Sequence, residues 1–303
     1  MHNPLRVITF PGVQNLPSFA AEANRFYERR GLAVETVFTQ SSEQQREGLA
    51  RGIYDIAHSA IDNAVSMVDT AGQDVVIVIG LDRGFNKLVV QPEIASYDDL
   101  RGKTLGVDAP DTAFALIAYD MLRRKGLKPG NYNVKPIGAT RFRLQALKER
   151  SIDVSMLNLP FNLFAQQAGL KVLDNPNDVI DEYQSAGGFV RRAWGEENRD
   201  TLVRYLAAYI EGLRWSLRSE NREAAIALLQ TRMELTHDVA EESFDQIADP
   251  QRGFTKDARL SHPGMVTVLK LRAGYTGTPL DSIPAPDKYL DESYYRAALA
   301  LLG

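Results

Sequence analysis

Short hydrogen-bonding side chains cluster where strand-like runs of the sequence give way to helical patterns. Amides, hydroxyls and an imidazole dominate this group, together with two arginines, one carboxylate and one aromatic ring. The candidate ligand-binding residues are Gln14, Asn15, Ser41, His58, Ser59, Arg83, Asp111, Thr112, Arg141, Asn158 and Phe161. A few fixed polar groups among apolar walls are typical of a small-molecule recognition site. Because few of these groups transfer protons near neutral pH, the set favours binding over catalysis.

Several of these residues also fit a purely structural role. Asp111 and Thr112 stand where a helix begins, so they could simply cap it. His58 follows a strand and fits either a pocket donor or a buried imidazole with its own partners. Arg83 fits either an ion pair between lobes or an anion clamp, and we favour the clamp. These alternatives stay open at the level of the sequence.

Arginine and aromatic side chains give two further expectations. Of Arg141 and Arg143, we expect one on the surface and one facing a pocket. Phe161 is the strongest candidate for an aromatic platform, whereas Phe85 and Phe114 are expected in the core.

Composition excludes several functional classes. The chain has 303 residues with 35 Lys and Arg against 39 Asp and Glu, a net charge of −4, and it contains no cysteine. Disulfides, thiolate nucleophiles and Cys-ligated metals are therefore impossible. The weak acidity disfavours nucleic acid and anionic membranes as partners. With only four histidines and no evident carboxylate cluster we expect neither a metal nor a cofactor.

Motifs of common enzymes and of membrane spans were sought and not found. The sequence lacks a G-x-S-x-G elbow, a Walker loop, a G-x-G-x-x-G fingerprint and an H-E-x-x-H pair. No window approaches 18 consecutive apolar residues. We therefore assign no catalytic residues and expect contact with a membrane only through a partner.

The polar candidates are positioned by alternating strands and helices. The predicted strands are 5–10, 33–38, 56–59, 75–80, 87–91, 104–107, 134–137, 154–157 and 171–173, with only helices after about residue 190. Such alternation predicts parallel sheets, and two sets of it predict two α/β lobes. Ligands of open α/β sheets bind outside the carboxyl ends of the strands, where the candidates lie.

A short sequence repeat relates the two sets of strands and helices. Leu49 precedes Asp55 by six residues, and Leu147 precedes Asp153 by the same interval, with a strand following each aspartate. This spacing predicts two structurally related halves.

Several segments together resemble a known family. They are 5–7, Pro17-x-Phe19-x-Ala21, Gly31-Leu32-x-Val34-Glu35, Leu49-x-x-Gly52-x-x-Asp55-Ile56-Ala57, Tyr97-Asp98-Asp99-Leu100-Arg101-Gly102-Lys103-Thr104-Leu105-Gly106-Val107, Leu147-x5-Asp153 and Gly169-x-Lys171-Val172-Leu173. Over about residues 5–190 the chain resembles the type 2 periplasmic solute-binding proteins of ABC importers. The most similar group binds nitrate, taurine and aliphatic sulfonates and also holds the thiamine-pyrimidine binders.

The resemblance implies a two-lobed fold with a ligand cleft. Lobe 1 would comprise residues 1–85 and 189–303, lobe 2 residues 86–188, with hinge crossings near 84–86 and 185–189. The family's ligand loops fall on Gln14–Asn15, Ser41, His58–Ser59, Asp111–Thr112 and Asn158–Phe161. At the start of the second-lobe helix, where sulfonate binders often carry Gly-Ser or Ser-Ser, this chain has Pro110-Asp111-Thr112, whose carboxylate would repel an anion.

The resemblance also implies a role in transport. A small organic molecule, preferably an organic acid or sulfonate and including aromatic ones, would close the cleft and pass to the permease subunits of an ABC importer. The protein would be a periplasmic monomer whose leader was removed.

Two rival functions remain on the same fold. One is an enzyme of the thiamine-pyrimidine or menaquinone type, for which His58 would be the candidate group. The related desulfinase is excluded because it needs a cysteine. The other is the sensing domain of a transcription regulator.

Overall fold

Two five-stranded sheets form the framework of the protein. The computed structural model describes residues 4–303, and within that range ten strands are present. They are β1 (Leu5–Thr9), β2 (Val34–Phe38), β3 (Ile56–Ala60), β4 (Val75–Gly80), β5 (Lys87–Val90), β6 (Thr104–Val107), β7 (Asn133–Pro136), β8 (Val154–Leu157), β9 (Lys171–Asp174) and β10 (Ala186–Arg191).

Each sheet contains one strand that runs against the others. The first sheet has the order β2-β1-β3-β10-β4 and the second β7-β6-β8-β5-β9. β10 pairs antiparallel with β3 and β4, and β5 pairs antiparallel with β8 and β9. Each of these strands comes directly after the chain has crossed from the other sheet. It therefore starts beside the carboxyl ends of its neighbouring parallel strands. The predicted α/β class with two mixed sheets is confirmed.

Helices connect the strands and form the C-terminal third of the chain. In the described range they are α1 (Leu16–Ala23), α2 (Phe26–Arg29), α3 (Ser42–Ala50), α4 (Asp62–Asp69), α5 (Ala113–Arg124), α6 (Thr140–Lys148), α7 (Phe161–Gln167), α8 (Pro176–Val179), α9 (Arg192–Glu197), α10 (Arg199–Ser216), α11 (Arg222–Met233), α12 (His237–Ile247), α13 (His262–Thr276) and α14 (Ser293–Ala300). None of these helices has the length and apolar character to cross a bilayer.

The core of the first sheet is completed by α10. Every residue of β4 is buried, as its unbroken apolar run predicts, although β4 lies at the edge of the sheet and not at the expected central position. Helix α10 packs against α1 and α14, and buries Tyr205 and Tyr209 completely or nearly so. Helices α10 and α14 therefore pack in the core on one face of the first sheet, whereas α13 belongs to the other core cluster with α4 and α5.

The sequence repeat at Asp55 and Asp153 corresponds to a repeated hydrogen-bond pattern. The Oδ2 of Asp55 accepts from the backbone N–H of Arg6 at 2.8 Å. The Oδ2 of Asp153 accepts from the backbone N–H of Thr104, also at 2.8 Å. Each aspartate thus ties the start of one strand to its neighbour, which explains why the spacing recurs.

Two local predictions were wrong. Residues 17–30 form two helices instead of one, because Arg25 adopts a left-handed φ of 58° between them. Residues 186–191 form β10, whereas the sequence predicted no strand there, and the hinge crossing near 185–189 stays a prediction. The glycines at the start of β10 are typical of a loop and not of a strand. A Cβ at Gly187 would lie 2.4 Å from the carbonyl oxygen of Ile79, so only glycine fits this close pairing. The lobe boundaries at residues 85 and 189 stay a prediction.

Candidate functional site

A cleft lies where the carboxyl ends of parallel strands from both sheets meet. It encloses about 890 Å³, its open mouth included, and both sheets contribute residues to its walls. Six of the sequence candidates line it: Gln14, Ser59, Thr112, Arg141, Asn158 and Phe161. The structure thus places about half of the candidate set around one space of small-molecule size.

Aromatic rings provide much of the apolar wall. Phe10 follows β1, Phe85 lies on the passage between β4 and β5, Phe114 is in the first turn of α5, and Phe161 begins α7. Phe85 meets Phe254 edge-on with ring centroids 5.8 Å apart. Phe85 and Phe114, expected in the core, therefore also line the cleft.

Three asparagines of the cleft wall have carbonyl oxygens without partners. The Oδ1 atoms of Asn63, Asn86 and Asn158 are buried and accept no hydrogen bond within the described chain. The amide of Asn63 is oriented by its surroundings, because its Nδ2 donates to Ser59 Oγ at 3.2 Å and Ser59 Oγ donates to Gln45 Oε1 at 2.6 Å. Buried acceptors without partners are costly, so these oxygens suit a ligand that donates hydrogen bonds.

Arg143 is a buried cation of the cleft wall. Its side chain donates to the carbonyl oxygens of Gly138 and Met156 at 2.8 and 3.2 Å and to Thr140 Oγ1 at 2.9 Å, and its Nε–H has no partner. Burial lowers the pKa of this guanidinium to about 10, which still leaves it charged at neutral pH. Of the arginine pair in this segment, Arg141 is the exposed member at the cleft mouth and Arg143 the buried one.

Asp82 is a buried carboxyl on the passage between the sheets. It is 2% exposed, and its Oδ1 accepts from the backbone N–H of Gly84 at 2.8 Å. Burial raises the pKa of this carboxyl to about 6. Its backbone carbonyl accepts from Ser185 N–H and from Gln184 Nε2, so it joins the two passages of the chain.

The walls of the cleft are already connected at its mouth. Ser42, at the start of α3, donates through Oγ to the Asp108 carboxylate at 2.6 Å, and its N–H points to the same oxygen at 3.3 Å. Arg141 donates to the side-chain oxygen of Gln40, and the backbone N–H of Ala139 donates to the carbonyl of Gln40 at 3.3 Å. These contacts join the first sheet's loops to those of the second, the arrangement of a closed cleft.

His58 is packed away from the cleft. Its ring stacks on Tyr209 with centroids 4.8 Å apart, and its Nε2 lies 3.0 Å from the hydroxyl of Tyr205. Burial lowers its pKa to about 4, so the imidazole is neutral. Strand alternation explains the error, because Ser59 faces the cleft side and its neighbour His58 faces α10.

Four other candidates also lie outside the cleft lining, namely Asn15, Ser41, Arg83 and Asp111. The Oδ1 of Asn15 accepts from the hydroxyl of Thr9, and its Nδ2 donates to the carbonyls of Phe10 and Gly12. Ser41 caps α3 by accepting from Gln44 N–H at 3.2 Å. Both side chains therefore hold their own loops together.

Asp111 and Arg83 are engaged in ion pairs. The Asp111 carboxylate lies 3.3 Å from Arg46 Nη1, which neutralises the charge that the sequence suggested would repel an anion. Arg83 is exposed, donates to the carbonyl of Gln251 and lies 3.8 Å from Glu182, so it is an ion-pairing residue of the passage between sheets rather than an anion clamp. Thr112 lines the cleft and starts α5, but its hydroxyl donates to Ala109 O at 2.8 Å instead of accepting from the helix.

Sequence reasoning missed Asp82, Asn86 and Asp108. Asp82 and Asn86 flank Arg83, which drew attention because its charge is distinctive in that loop. The rule that ligands bind beyond strand ends would have selected both Asp82, after β4, and Asp108, directly after β6.

Comparison with known proteins identifies the family. The family model described as NMT1/THI5 like matches residues 13–222. The chain belongs to the NMT1/THI5-like family. The matched range contains both sheets except β1, and every lining residue of the cleft named above apart from Phe10.

A curated relative of this NMT1/THI5-like protein is a putative ABC transporter periplasmic binding protein of Brachyspira hyodysenteriae, 25% identical over 231 residues. The match covers 68% of this chain and 63% of that protein, so the chain aligns with less than two thirds of the relative's length. The predicted resemblance to periplasmic solute-binding proteins of ABC importers is confirmed at the level of the family.

Solved structures share the fold at low identity. The periplasmic nitrate-binding protein NrtA of Synechocystis PCC 6803 is 14% identical with a TM-score of 0.83, covering 99% of this chain and 89% of that one. The desulfurization enzyme DSZB is also 14% identical, with a TM-score of 0.68 over 98% and 99% of the two chains. The fold alone therefore does not separate binding proteins from enzymes.

Proposed function

We propose that this protein is a solute-binding protein that captures a small organic molecule in the cleft and delivers it to the permease subunits of an ABC importer. The observation that carries the proposal is the cleft itself, whose polar groups without partners come from both sheets. A ligand that satisfies groups on both walls stabilises the closed arrangement, and a permease can recognise that arrangement. The relative's description as a periplasmic binding protein supports an extracytoplasmic location.

The favoured ligand is an organic acid or sulfonate with an apolar, often aromatic body. Arg141 and Arg143 bring two positive charges to the wall, and α5 and α6 begin there with backbone N–H groups that favour an anion. Phe85, Phe114 and Phe161 supply flat surfaces for the body of the molecule.

The enzymatic alternative loses its candidate residue in the structure. It depended on His58, which is buried against Tyr205 and Tyr209 outside the cleft. The candidate groups that line the cleft are amides, hydroxyls, arginines and carboxyls without the paired arrangement of a nucleophile and its base.

Native mass spectrometry of the purified protein, followed by a thermal-shift panel of sulfonates, carboxylates, nitrate, amines and pyrimidines, tests this function. A ligand at a hundredfold over its Kd adds about 2.7 kcal/mol to the free energy of unfolding. For a chain of this length that raises Tm by roughly 5 °C. An organic anion is expected to give such a shift. No co-purified molecule and no shift from any compound would contradict the proposed function, and a shift from neutral pyrimidines alone would contradict the ligand class.

A further inference from the structure

Two buried charges in the cleft have no ion-pair partner within 4.0 Å, and the Asp108 carboxylate acts on Arg143 only from a longer distance. The side chains of Arg143 and Asp82 are 3% and 2% exposed as residues, and both line the cleft. Within residues 4–303, no carboxylate oxygen lies within 4.0 Å of the Arg143 guanidinium, and no cationic nitrogen lies within 4.0 Å of the Asp82 carboxyl. Unpaired buried charges are expensive, so each of them calls for a complementary group.

The charge of Arg143 exceeds what its structural role needs. Gln45 precedes Asp55 by the same ten residues by which Arg143 precedes Asp153, so the two side chains occupy equivalent places in the related halves. Gln45 Nε2 donates to the carbonyl of His58 at 3.2 Å, and Arg143 Nη2 donates to the carbonyl of Met156 at 3.2 Å. Since a neutral amide performs this task in the first half, the cation in the second half is available for a ligand.

The carboxyl of Asp82 is held by neutral donors and has no cation within 4.0 Å. Its Oδ1 accepts from Gly84 N–H at 2.8 Å, and the backbone N–H of Ala186 and the hydroxyl of Ser185 also donate to this carboxyl. These donors leave its negative charge without a counterion. In the same cleft, the carbonyl oxygens of Asn63 and Asn86 lack donors. Asp82 and these amides therefore form an acceptor-rich part of the cleft, in contrast to the cationic part around Arg143.

We propose that the ligand is amphoteric, with an anionic group that pairs with the Arg143 guanidinium and an amino nitrogen that donates to the Asp82 carboxylate, joined by a flat apolar body. The proposal rests on the solute-binding function and narrows its ligand class from organic acids in general to amino acids in the chemical sense. An anion without an amino group would leave Asp82 without a cation and two asparagine oxygens buried without donors. A simple amine would leave Arg143 without an anion.

Three matched probes test the proposal by isothermal titration at millimolar concentration. They are 4-(aminomethyl)benzoate, which carries both groups, 4-methylbenzoate, which carries only the acid, and 4-methylbenzylamine, which carries only the amine. We expect the first to bind at least about tenfold more tightly than either of the others, because each probe with one group leaves a buried charge unpaired.

Two variants assign the two ends of the ligand. Asp82→Asn keeps the acceptor for Gly84 and is expected to abolish the advantage of 4-(aminomethyl)benzoate over 4-methylbenzoate. Arg143→Gln places the side chain of the equivalent Gln45 in the second half and is expected to abolish the advantage over 4-methylbenzylamine. Arg143→Gln removes a buried charge that has no ion-pair partner, so without ligand it should melt at the wild-type temperature or above it, a result that a merely structural ion pair would not give.

The outcomes separate this inference from the proposed function. Equal affinity of the wild-type protein for 4-(aminomethyl)benzoate and 4-methylbenzoate, or no binding of any probe, would overturn the amphoteric ligand. If in the same protein a sulfonate or carboxylate without nitrogen raises Tm in the wider panel, the solute-binding function stands while this inference fails. The comparison of probes on the wild-type protein decides the matter even where a variant fails to fold.

Discussion

The guanidinium of Arg46 on α3 lies 3.3 Å from the carboxylate of Asp111, which precedes α5. This ion pair joins a helix of the first sheet to a loop of the second. The backbone carbonyl of Asp111 also accepts from Arg272 Nη2 at 2.9 Å. Although Asp111 does not line the cleft, it belongs to the contacts that hold the two halves together.

Asp111→Asn is expected to weaken the closed arrangement and thereby ligand affinity. The pair is half-buried, so the loss is at most about 1 kcal/mol, or roughly a threefold to fivefold rise in Kd. Small-angle X-ray scattering of the ligand-free variant should give a larger radius of gyration than that of the wild type. Glu28→Gln, which removes the exposed pair between α2 and Arg25 just before it, is the control and should change neither quantity. An unchanged radius and Kd for Asp111→Asn would refute a role in closure.

Asp62 and Arg272 form a buried ion pair whose loss should destabilise the fold strongly. Arg272 donates to both carboxylate oxygens of Asp62, at 2.8 and 2.5 Å, and both side chains are almost fully buried. Asp62→Asn leaves a buried cation without its partner, so the free energy of unfolding should fall by about 3–5 kcal/mol in urea denaturation.

Two further variants control this prediction. Asp200→Asn, which breaks the exposed pair with Arg204, should change stability by less than about 1 kcal/mol. The double variant Asp62→Leu with Arg272→Met should recover much of the loss because it removes both charges. A single variant as stable as Asp200→Asn would disprove the importance of the buried pair.

Lowering the pH changes the contributions of His58 and Asp82 to the free energy of unfolding in opposite directions. Burial holds the pKa of His58 at about 4, below its ordinary 6.5, so the unfolded state binds more protons and stability falls as pH drops from 6.5 to 4. Burial raises the pKa of Asp82 from 3.8 to about 6, so the folded state binds more protons and this group adds stability as pH drops from 6 to 4.

Variants should separate these two opposing contributions. Asp82→Asn removes the stabilising one, so its free energy of unfolding should fall more steeply than the wild type's between pH 6 and 4. His58→Gln removes the destabilising one between Tyr205 and Tyr209, so its curve should be flatter or reversed. Urea denaturation at several pH values measures the slopes, and identical slopes for the three proteins would rule out the buried titrations.

Gly188 of β10 is expected to tolerate no side chain. A Cβ there would lie 2.8 Å from Ile79 Cγ2 and 2.9 Å from His58 Cε1. Gly188→Ala should therefore destabilise the protein by about 1–3 kcal/mol through overpacking. Gly274→Ala, in α13 with open space around its Cα, is the matched control and should stabilise by about 0.5–1 kcal/mol. Equal melting temperatures of the two variants would contradict the close packing.

Much of the fold could be predicted from the sequence because its signals are local. Apolar runs such as β4, helix stops at glycine and the recurring Asp55 and Asp153 spacing each reflect neighbouring residues. β10 could not be predicted because its first residues, Ala186-Gly187-Gly188, fit close pairing with β3 and β4. Pairing between strands far apart in the sequence leaves no local pattern.

The site could be predicted only in part, for a similar reason. Position after a strand correctly brought Ser59, Thr112 and Asn158 to the cleft. It could not separate Ser59 from its neighbour His58, whose opposite orientation depends on strand register and on α10 from the far end of the chain. Nor could it assign Asp111 to Arg46, a contact across 65 residues.

The central claim is that a small molecule binds between the two sheets. Hydrogen–deuterium exchange with and without the compound that gives the largest thermal shift tests it most directly. The account predicts slower exchange in segments 10–14, 82–86, 108–114, 139–143 and 158–161, which come from both sheets and line the cleft. Protection confined to one sheet, or to surfaces away from these segments, would contradict it.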